Sequence, residues 1–354
     1  MSKLEVYIIG SRLGESIVIR TPGGQYGVID SYATNPQDPA TNPTITRLRE
    51  LNATRLSFVA LTHPHMDHFR GLLSVFREYP GAIDEFWKPP FGQADWSAIV
   101  SRFTEELETE SSEERQGRKF ERITLFRDIV DCGIAEKKRG MKSVTTQDTR
   151  QMFNEVQHGF SIVCLGPSTD VVERYHNILV KNVATKDSHT ETAPHNLASS
   201  VLALKYGDWV GLLGGDTERH SWDDILDRCG REWVSGARFV KVAHHGSSNG
   251  SYDELWASIK SDACDAVVTC FASQGLPSSE GLRPIRERGF SVYSTTSILA
   301  GELSGAKPRT HPTEIIFLPG LRANPVGGEV RVTVDEVGQS TIDFFNEAGA
   351  VEAS

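Results

Sequence analysis

Residues 62–68 read Thr-His-Pro-His-Met-Asp-His, which places three imidazoles and a carboxylate, His63, His65, Asp67 and His68, within six positions. Imidazole nitrogen and carboxylate oxygen are suitable ligands for zinc and similar divalent ions. Just upstream, Leu56–Leu61 is a short apolar run between turn-forming residues, and it predicts a buried strand. The cluster therefore belongs at a strand end. Alternate residues of an extended segment project to one side, so His63 and His65 can share a face. Pro64 supports this by steering His63 away from helical angles. Asp67 and His68 fall past the bend and can reach a second, nearby point.

Two more strand ends carry ligand-type residues. Leu197–Lys205 and Trp209–Leu213 read as strands joined at Tyr206-Gly207-Asp208, a hairpin signal, and the second runs into Gly214-Gly215-Asp216. An aspartate there also suits a helix cap, with Thr217-Glu218 following. Phe239–Ala243 is a further strand, ending in His244-His245-Gly246-Ser247. Three strand ends with metal-type ligands in one chain are hard to reach by accident.

The elements that must position these groups alternate. Leu4–Ile9, Ser16–Arg20 and Gln25–Asp30 predict three strands, Asn42–Leu51 a helix begun by Pro43, and Phe69–Tyr79 another helix before a strand at Ile83–Trp87. Residues 94–131 change character: Trp96–Gln116 and Lys119–Val130 have helical spacing and many acids, as in a two-helix insertion. Phe160–Leu165 predicts a strand, Val171–Asn182 a helix and Lys181–Pro194 a polar loop. Beyond His245, helices at Tyr252–Lys260 and Ser279–Arg288 alternate with strands at Ala266–Phe271 and Ser291–Ser294. Glu329–Val334 and Ser340–Phe345 read as a terminal hairpin. Strands in both halves with helices between them make an α/β chain with helices packed outside.

The chain has 354 residues and a formal net charge of −10, which argues against an extended duplex-binding surface. A nuclease stays open, because bound cations would make the site itself positive. The basic stretches Arg115–Arg122 and Lys137–Arg139 with Lys142 read as solvated helix faces. No apolar stretch is long enough to span a bilayer, and no leader is evident. The five cysteines include no C-x-x-C pair, so a reducing cytoplasm is the default compartment.

In these motifs the chain resembles the metallo-β-lactamase fold superfamily, whose signature is H-x-H-x-D-H after a strand. More narrowly it resembles the branch related to the extracellular domain of the competence protein ComEC. The matching segments are Leu13-Gly14-Glu15-Ser16-Ile17, Asp30 at its strand end, Thr62–His68, Asn196–Ser199, Leu213–Asp216 and His244–Ser247. Gly275-Leu276-Pro277-Ser278 is similar to a later G-H-P-S element, with Leu276 in place of the histidine. Residues 92–190 match no part of that pattern.

The resemblance implies a four-layer αβ/βα sandwich with a metal site at the edge between two sheets. It implies one domain over 1–354, a helical insertion at about 92–140 and a C-terminal β-hairpin at about 328–346. It further implies two divalent ions, zinc first and manganese second. His63 and His65 would hold one; Asp67, His68 and one of His244 or His245 the other, with Asp216 bridging. The pattern His245-Gly246-Ser247 favours His245 as ligand and leaves His244 to face substrate. A third ligand to the first ion is His195, or Asn196, or absent.

Two such ions roughly 3.5–4 Å apart can share a water and clamp a tetrahedral centre. The expected activity is a phosphodiesterase or nuclease using a hydroxide bridged between the metals and held by Asp67 and Asp216, with His244, Lys241 or Ser247 on the phosphate. A nucleic acid strand or a small phosphodiester would be the substrate. The same site could instead hydrolyse a lactone, amide or thioester, since fold does not fix chemistry. A third reading is a regulatory subunit whose site awaits a partner. Residues 92–131 are the candidate docking element for a homo-oligomer or a protein partner, and no membrane is expected.

Overall fold

The computed structural model of the protein describes residues 2–90, 113–185, 195–296, 328–345 and 349–350. The expected helix at Trp96–Gln116 falls mainly outside these residues, as does most of the expected loop at Lys181–Pro194, whose first positions continue the helix Thr169–Thr185.

Sixteen strands follow in chain order among the described residues: β1 (Leu4–Gly10), β2 (Glu15–Arg20), β3 (Tyr26–Ile29), β4 (Leu56–Ala60), β5 (Ile83–Lys88), β6 (Lys142–Thr145), β7 (Gln151–Glu155) and β8 (Phe160–Gly166) in the first half. The second half adds β9 (Val201–Tyr206), β10 (Trp209–Leu213), β11 (Phe239–Lys241), β12 (Asp265–Val268), β13 (Ser291–Ser294), β14 (Gly328–Val334), β15 (Ser340–Phe345) and β16 (Gly349–Ala350). They form two eight-stranded sheets, ordered β15-β14-β1-β2-β3-β4-β5-β6 and β16-β13-β12-β11-β10-β9-β8-β7. Pairing is parallel from β3 to β6 and from β10 to β13, and antiparallel elsewhere.

Strand alternation sorts side chains between layers. In β1, Leu4, Val6 and Ile8 face a core shared with Phe160, Ile162 and Leu204 of the other sheet. Tyr7 and Ile9 face the opposite way, where Leu48, Leu73 and Phe126 cover the first sheet. Trp222, Trp256 and Ile285 likewise cover the outer face of the second. Phe58 stacks on Trp87 with centroids 3.9 Å apart inside the inter-sheet layer. The result is a four-layer αβ/βα sandwich, the architecture expected from the sequence.

Two sequence expectations shift, and two strands are new. The helix expected over Phe69–Tyr79 is two pieces, Met66–Phe69 and Leu72–Glu78. Gly71 lies between them, donates to Ser31 O at 2.7 Å and packs so closely that a Cβ there would meet the Ser31 and Tyr32 backbone. The strand expected from Leu197 begins at Val201, because His195–Ala198 forms a 3₁₀ turn. Strands β6 and β7 have no sequence expectation, being short, edge-placed and polar on several positions. Lys119–Val130 lies within one 26-residue helix, Glu113–Lys138. Lys137, Lys138 and Lys142 are exposed, as solvated charges should be.

Candidate metal centre

The heptapeptide occupies the turn after β4. Asp30, which closes β3 in a left-handed backbone conformation (φ 55°), organises it. Its carboxylate accepts from the Thr62 N–H at 2.8 Å and from Thr62 Oγ1 at 2.6 Å, and contacts His68 Nδ1 at 2.7 Å. Thr62 has one hydroxyl hydrogen, and it is given to Asp30. Thr62 Oγ1 must therefore accept from His63 Nδ1, 3.0 Å away, which leaves the Nε2 lone pair of His63 facing inward.

His63 Nε2 lies 3.0 Å from His65 Nδ1 and 3.6 Å from Asp216 Oδ2. These three residues bring ligand atoms within 4.8 Å of one another. On the other carboxylate oxygen, Asp216 Oδ1 is 3.2 Å from His68 Nε2 and 3.8 Å from His245 Nε2. His245 Nε2 is also 3.0 Å from Asp67 Oδ2, and His68 Nε2 is 3.6 Å from the same oxygen. Asp216 thus stands between two donor sets. The sequence expectation that it could be a helix cap gives way here, since the cap position of the next helix is Glu218.

Asp216 reaches this point because Gly215 takes a left-handed turn (φ 52°) and Ser199 Oγ accepts from the Asp216 N–H at 2.9 Å. His244 and His245 are also left-handed, with φ of 48° and 51°, which is costly for non-glycine residues. The His244 N–H bonds Gly215 O at 2.9 Å and holds the turn in place. This backbone sends the two rings apart. His245 is fully buried and aimed at Asp67 and Asp216, while His244 stays partly exposed, its Nδ1 3.4 Å from Glu218 Oε1.

His195 is buried, edge-on to His65 with centroids 5.3 Å apart, and shares a 2.6 Å hydrogen bond between Nδ1 and the Tyr175 hydroxyl. Asn196 instead turns its amide to Glu218 Oε1 at 2.9 Å. Of the two, His195 is the one beside the first donor set.

Lys241 corrects an expectation. It is wholly buried and ion-paired with Glu15, so it cannot reach a substrate phosphate from the open side. Ser247 and His244 remain partly exposed. Sequence reasoning also missed Glu15, Thr269 and Tyr175 as parts of the site. Glu15 at the start of a strand, Thr269 in an apolar run and Tyr175 on a helix carry no distinguishing signal by themselves.

The electrostatics divide the same way as the geometry. Burial, then the charges of His68 and His65, hold His63 well below the ordinary imidazole range, and burial chiefly lowers His65. Burial also opposes charge on His68, but Asp216, Asp67, Asp30 and Glu15 outweigh it and raise the ring well above that range. His245 is raised by Asp216 and Asp67 against the same burial. Asp216 resists its own burial through His68 and His245 and sits well below the usual carboxylate range. The donor set fits a divalent cation on a second count. His68 Nε2 and Asp216 Oδ1 are buried without a hydrogen-bond partner, although they face each other. Buried, unsatisfied donor atoms that converge are what a cation would satisfy.

No protein-family model matches the chain, and no curated protein matches it. Among solved structures it is similar to Zn²⁺-bound PqqB from Methylobacterium extorquens, at 12% identity and a TM-score of 0.44, over 81% of this chain and 97% of that one. A long form RNase Z from yeast is similar at 10% identity and a TM-score of 0.44, over 96% of this chain and 49% of that one. A diphosphatase from the PhnP family gives 11% identity and a TM-score of 0.36, over 75% and 86%. At such distances the chemistry has to be read from the site's own residues.

Proposed function

We propose that the chain is a metal-dependent hydrolase acting on a phosphodiester, either a nucleic acid strand or a smaller ester such as a cyclic nucleotide. Asp216 carries the reading: one buried carboxylate faces His63 with Oδ2 and His68 with Oδ1, so a single side chain serves two donor sets. His63, His65 and Asp216, with His195 alongside, would hold one ion. Asp67, His68, Asp216 and His245 would hold the other. The histidine-rich set suits Zn²⁺, with Mn²⁺ as the second choice. Bound ions lower the pKa of a coordinated water and offset the charge of a phosphoryl group.

The protein's own groups do the rest. Asp67 and Asp216 are acceptors placed to orient an attacking water. Their positions are fixed by His245 at 3.0 Å and by the Ser199 hydroxyl on the Asp216 backbone. His244 and Ser247, on the open side, are the donors available to phosphoryl oxygens. Of the four buried carboxylates at the floor, Glu15 is paired with Lys241 and Asp30 with His68, and bound divalent ions would offset Asp67 and Asp216 together with the charge of an anionic substrate. Among the described residues no helix is long and apolar enough to cross a membrane. The narrower likeness to the ComEC-related branch rests on the sequence motifs.

The test is hydrolysis of bis(p-nitrophenyl) phosphate with Zn²⁺ or Mn²⁺, beside a panel of lactones and β-lactams. Metal-dependent turnover of the phosphodiester that disappears in Asp67→Ala supports the proposal. Turnover confined to the acyl panel moves the activity to carbonyl chemistry, and a fully metallated but inert chain leaves a regulatory role.

A further inference from the structure

We infer that Glu15, Thr269 and Lys241 form an outer clamp, drawn from both sheets, that positions His245 for a divalent ion. The inference rests on reading the cluster as a metal centre, and it concerns residues that stand behind the proposed ligands and not among them. Glu15 opens β2 in the first sheet, Lys241 ends β11 in the second, and Thr269 follows β12. All three are buried, with relative exposures of 1%, 0% and 0%.

Glu15 belongs to a group of residues that could hold an ion together with His68, Asp216 and His245. The orientation of the rings argues for a different role. His68 and His245 turn Nε2 towards Asp67 and Asp216, and both turn Nδ1 towards Glu15, at 3.8 and 3.7 Å. Glu15 therefore stands behind both imidazoles. Its Oε2 is already engaged, accepting from Thr269 Oγ1 at 2.7 Å and paired with Lys241.

That engagement fixes a tautomer. Thr269 spends its one hydroxyl hydrogen on Glu15, so its oxygen accepts from His245 Nδ1, 3.0 Å away. His245 therefore keeps its Nδ1–H on that oxygen, and Nε2, hydrogen-bonded to Asp67 at 3.0 Å, is the nitrogen that would face a bound ion. The chain Glu15–Thr269–His245 repeats the logic of Asp30–Thr62–His63, with one addition: Lys241 balances the charge of the remote carboxylate. Groups of this kind orient a ligand and typically change metal affinity by about 10–100-fold when removed.

Thr269→Val keeps the side-chain shape and deletes the hydroxyl. Zn²⁺ titrated calorimetrically into the full chain, with a chelator competitor, should show one of two binding steps weakened by about 10–100-fold. The visible absorption of the Co²⁺-substituted protein should shift with it, and Thr269→Ser should restore both. A folded Thr269→Val that binds Zn²⁺ as tightly as the parent overturns the clamp, as does a Thr269→Ser no better than Thr269→Val. Should Thr269→Val not fold, Glu15→Gln decides in the same titration: weaker binding supports the clamp and unchanged binding overturns it. A parent chain that takes up neither Zn²⁺ nor Mn²⁺ overturns the metal-centre reading and the clamp together, a result distinct from tight binding in the variants.

Discussion

Four candidate ligands, His63, His65, Asp67 and His68, come from one turn after β4, whereas Asp216 and His245 come from separate loops after β10 and β11 in the other sheet. The first group is held locally: Asp30, one strand away, touches both Thr62 and His68. The second is held within its own sheet by Ser199 for Asp216 and by Thr269 for His245, and across the sheet junction by Glu15, which accepts from the Thr269 hydroxyl. A local turn keeps its geometry as long as its strand pairs. A junction keeps its geometry only while both sheets stay docked, so Asp216 and His245 are the ligands that couple ion binding to the sandwich as a whole.

Asp216 is where that division should break most sharply, since it faces both sets. Asp216→Ala is expected to lower kcat/KM for a phosphodiester by at least about 1,000-fold, more than removal of a residue facing one set only. Metal analysis of the purified variant checks the cause. Loss of both ions fits a shared ligand, whereas loss of one would assign Asp216 to a single side.

Next in size is the buried pair at the junction. Lys241→Met strands the Glu15 carboxylate in the interior, and removing one partner of a buried ion pair costs about 3–5 kcal/mol. Urea unfolding of metal-free protein should show that loss, and the double variant Glu15→Gln/Lys241→Met should regain most of it. A single variant as stable as the parent would mean that the pair contributes nothing to docking the sheets.

The same contrast explains what was legible in the sequence. The local half announces itself because its residues are adjacent and chemically unusual in that density. Asp216 and His245 could be found because each follows an apolar strand and small residues. Glu15, Thr269 and Tyr175 could not be assigned roles, since single acids, threonines and tyrosines near strands are ordinary and only the pairing of distant strands makes them neighbours. Lys241 was misread for the same reason: a lysine at a strand end normally reaches solvent, and only the facing Glu15 keeps this one inside. In the fold, the inter-sheet strands showed as apolar runs, while β6 and β7 did not, because edge strands half open to solvent lack that pattern.

The smallest effect expected is at the local relay, and it is the one that measures the asymmetry. Thr62→Val removes the hydroxyl between Asp30 and His63, as Thr269→Val removes the one between Glu15 and His245. Here, however, much of the support survives. Asp30 keeps the Thr62 backbone N–H at 2.8 Å and His68 Nδ1 at 2.7 Å, and His63 keeps His65 beside it at 3.0 Å. Behind Thr269, His245 Nδ1 would keep the longer contact to Thr269 O at 3.3 Å, while Glu15 would lose its hydroxyl donor and keep Lys241. Zn²⁺ affinity in Thr62→Val should therefore fall by about 10-fold, the low end for an outer-shell partner, and by less than in Thr269→Val. Equal losses in the two variants would show that the donor sets lean on their outer partners alike, and the distinction between a locally built half and a junction-built half would then fail.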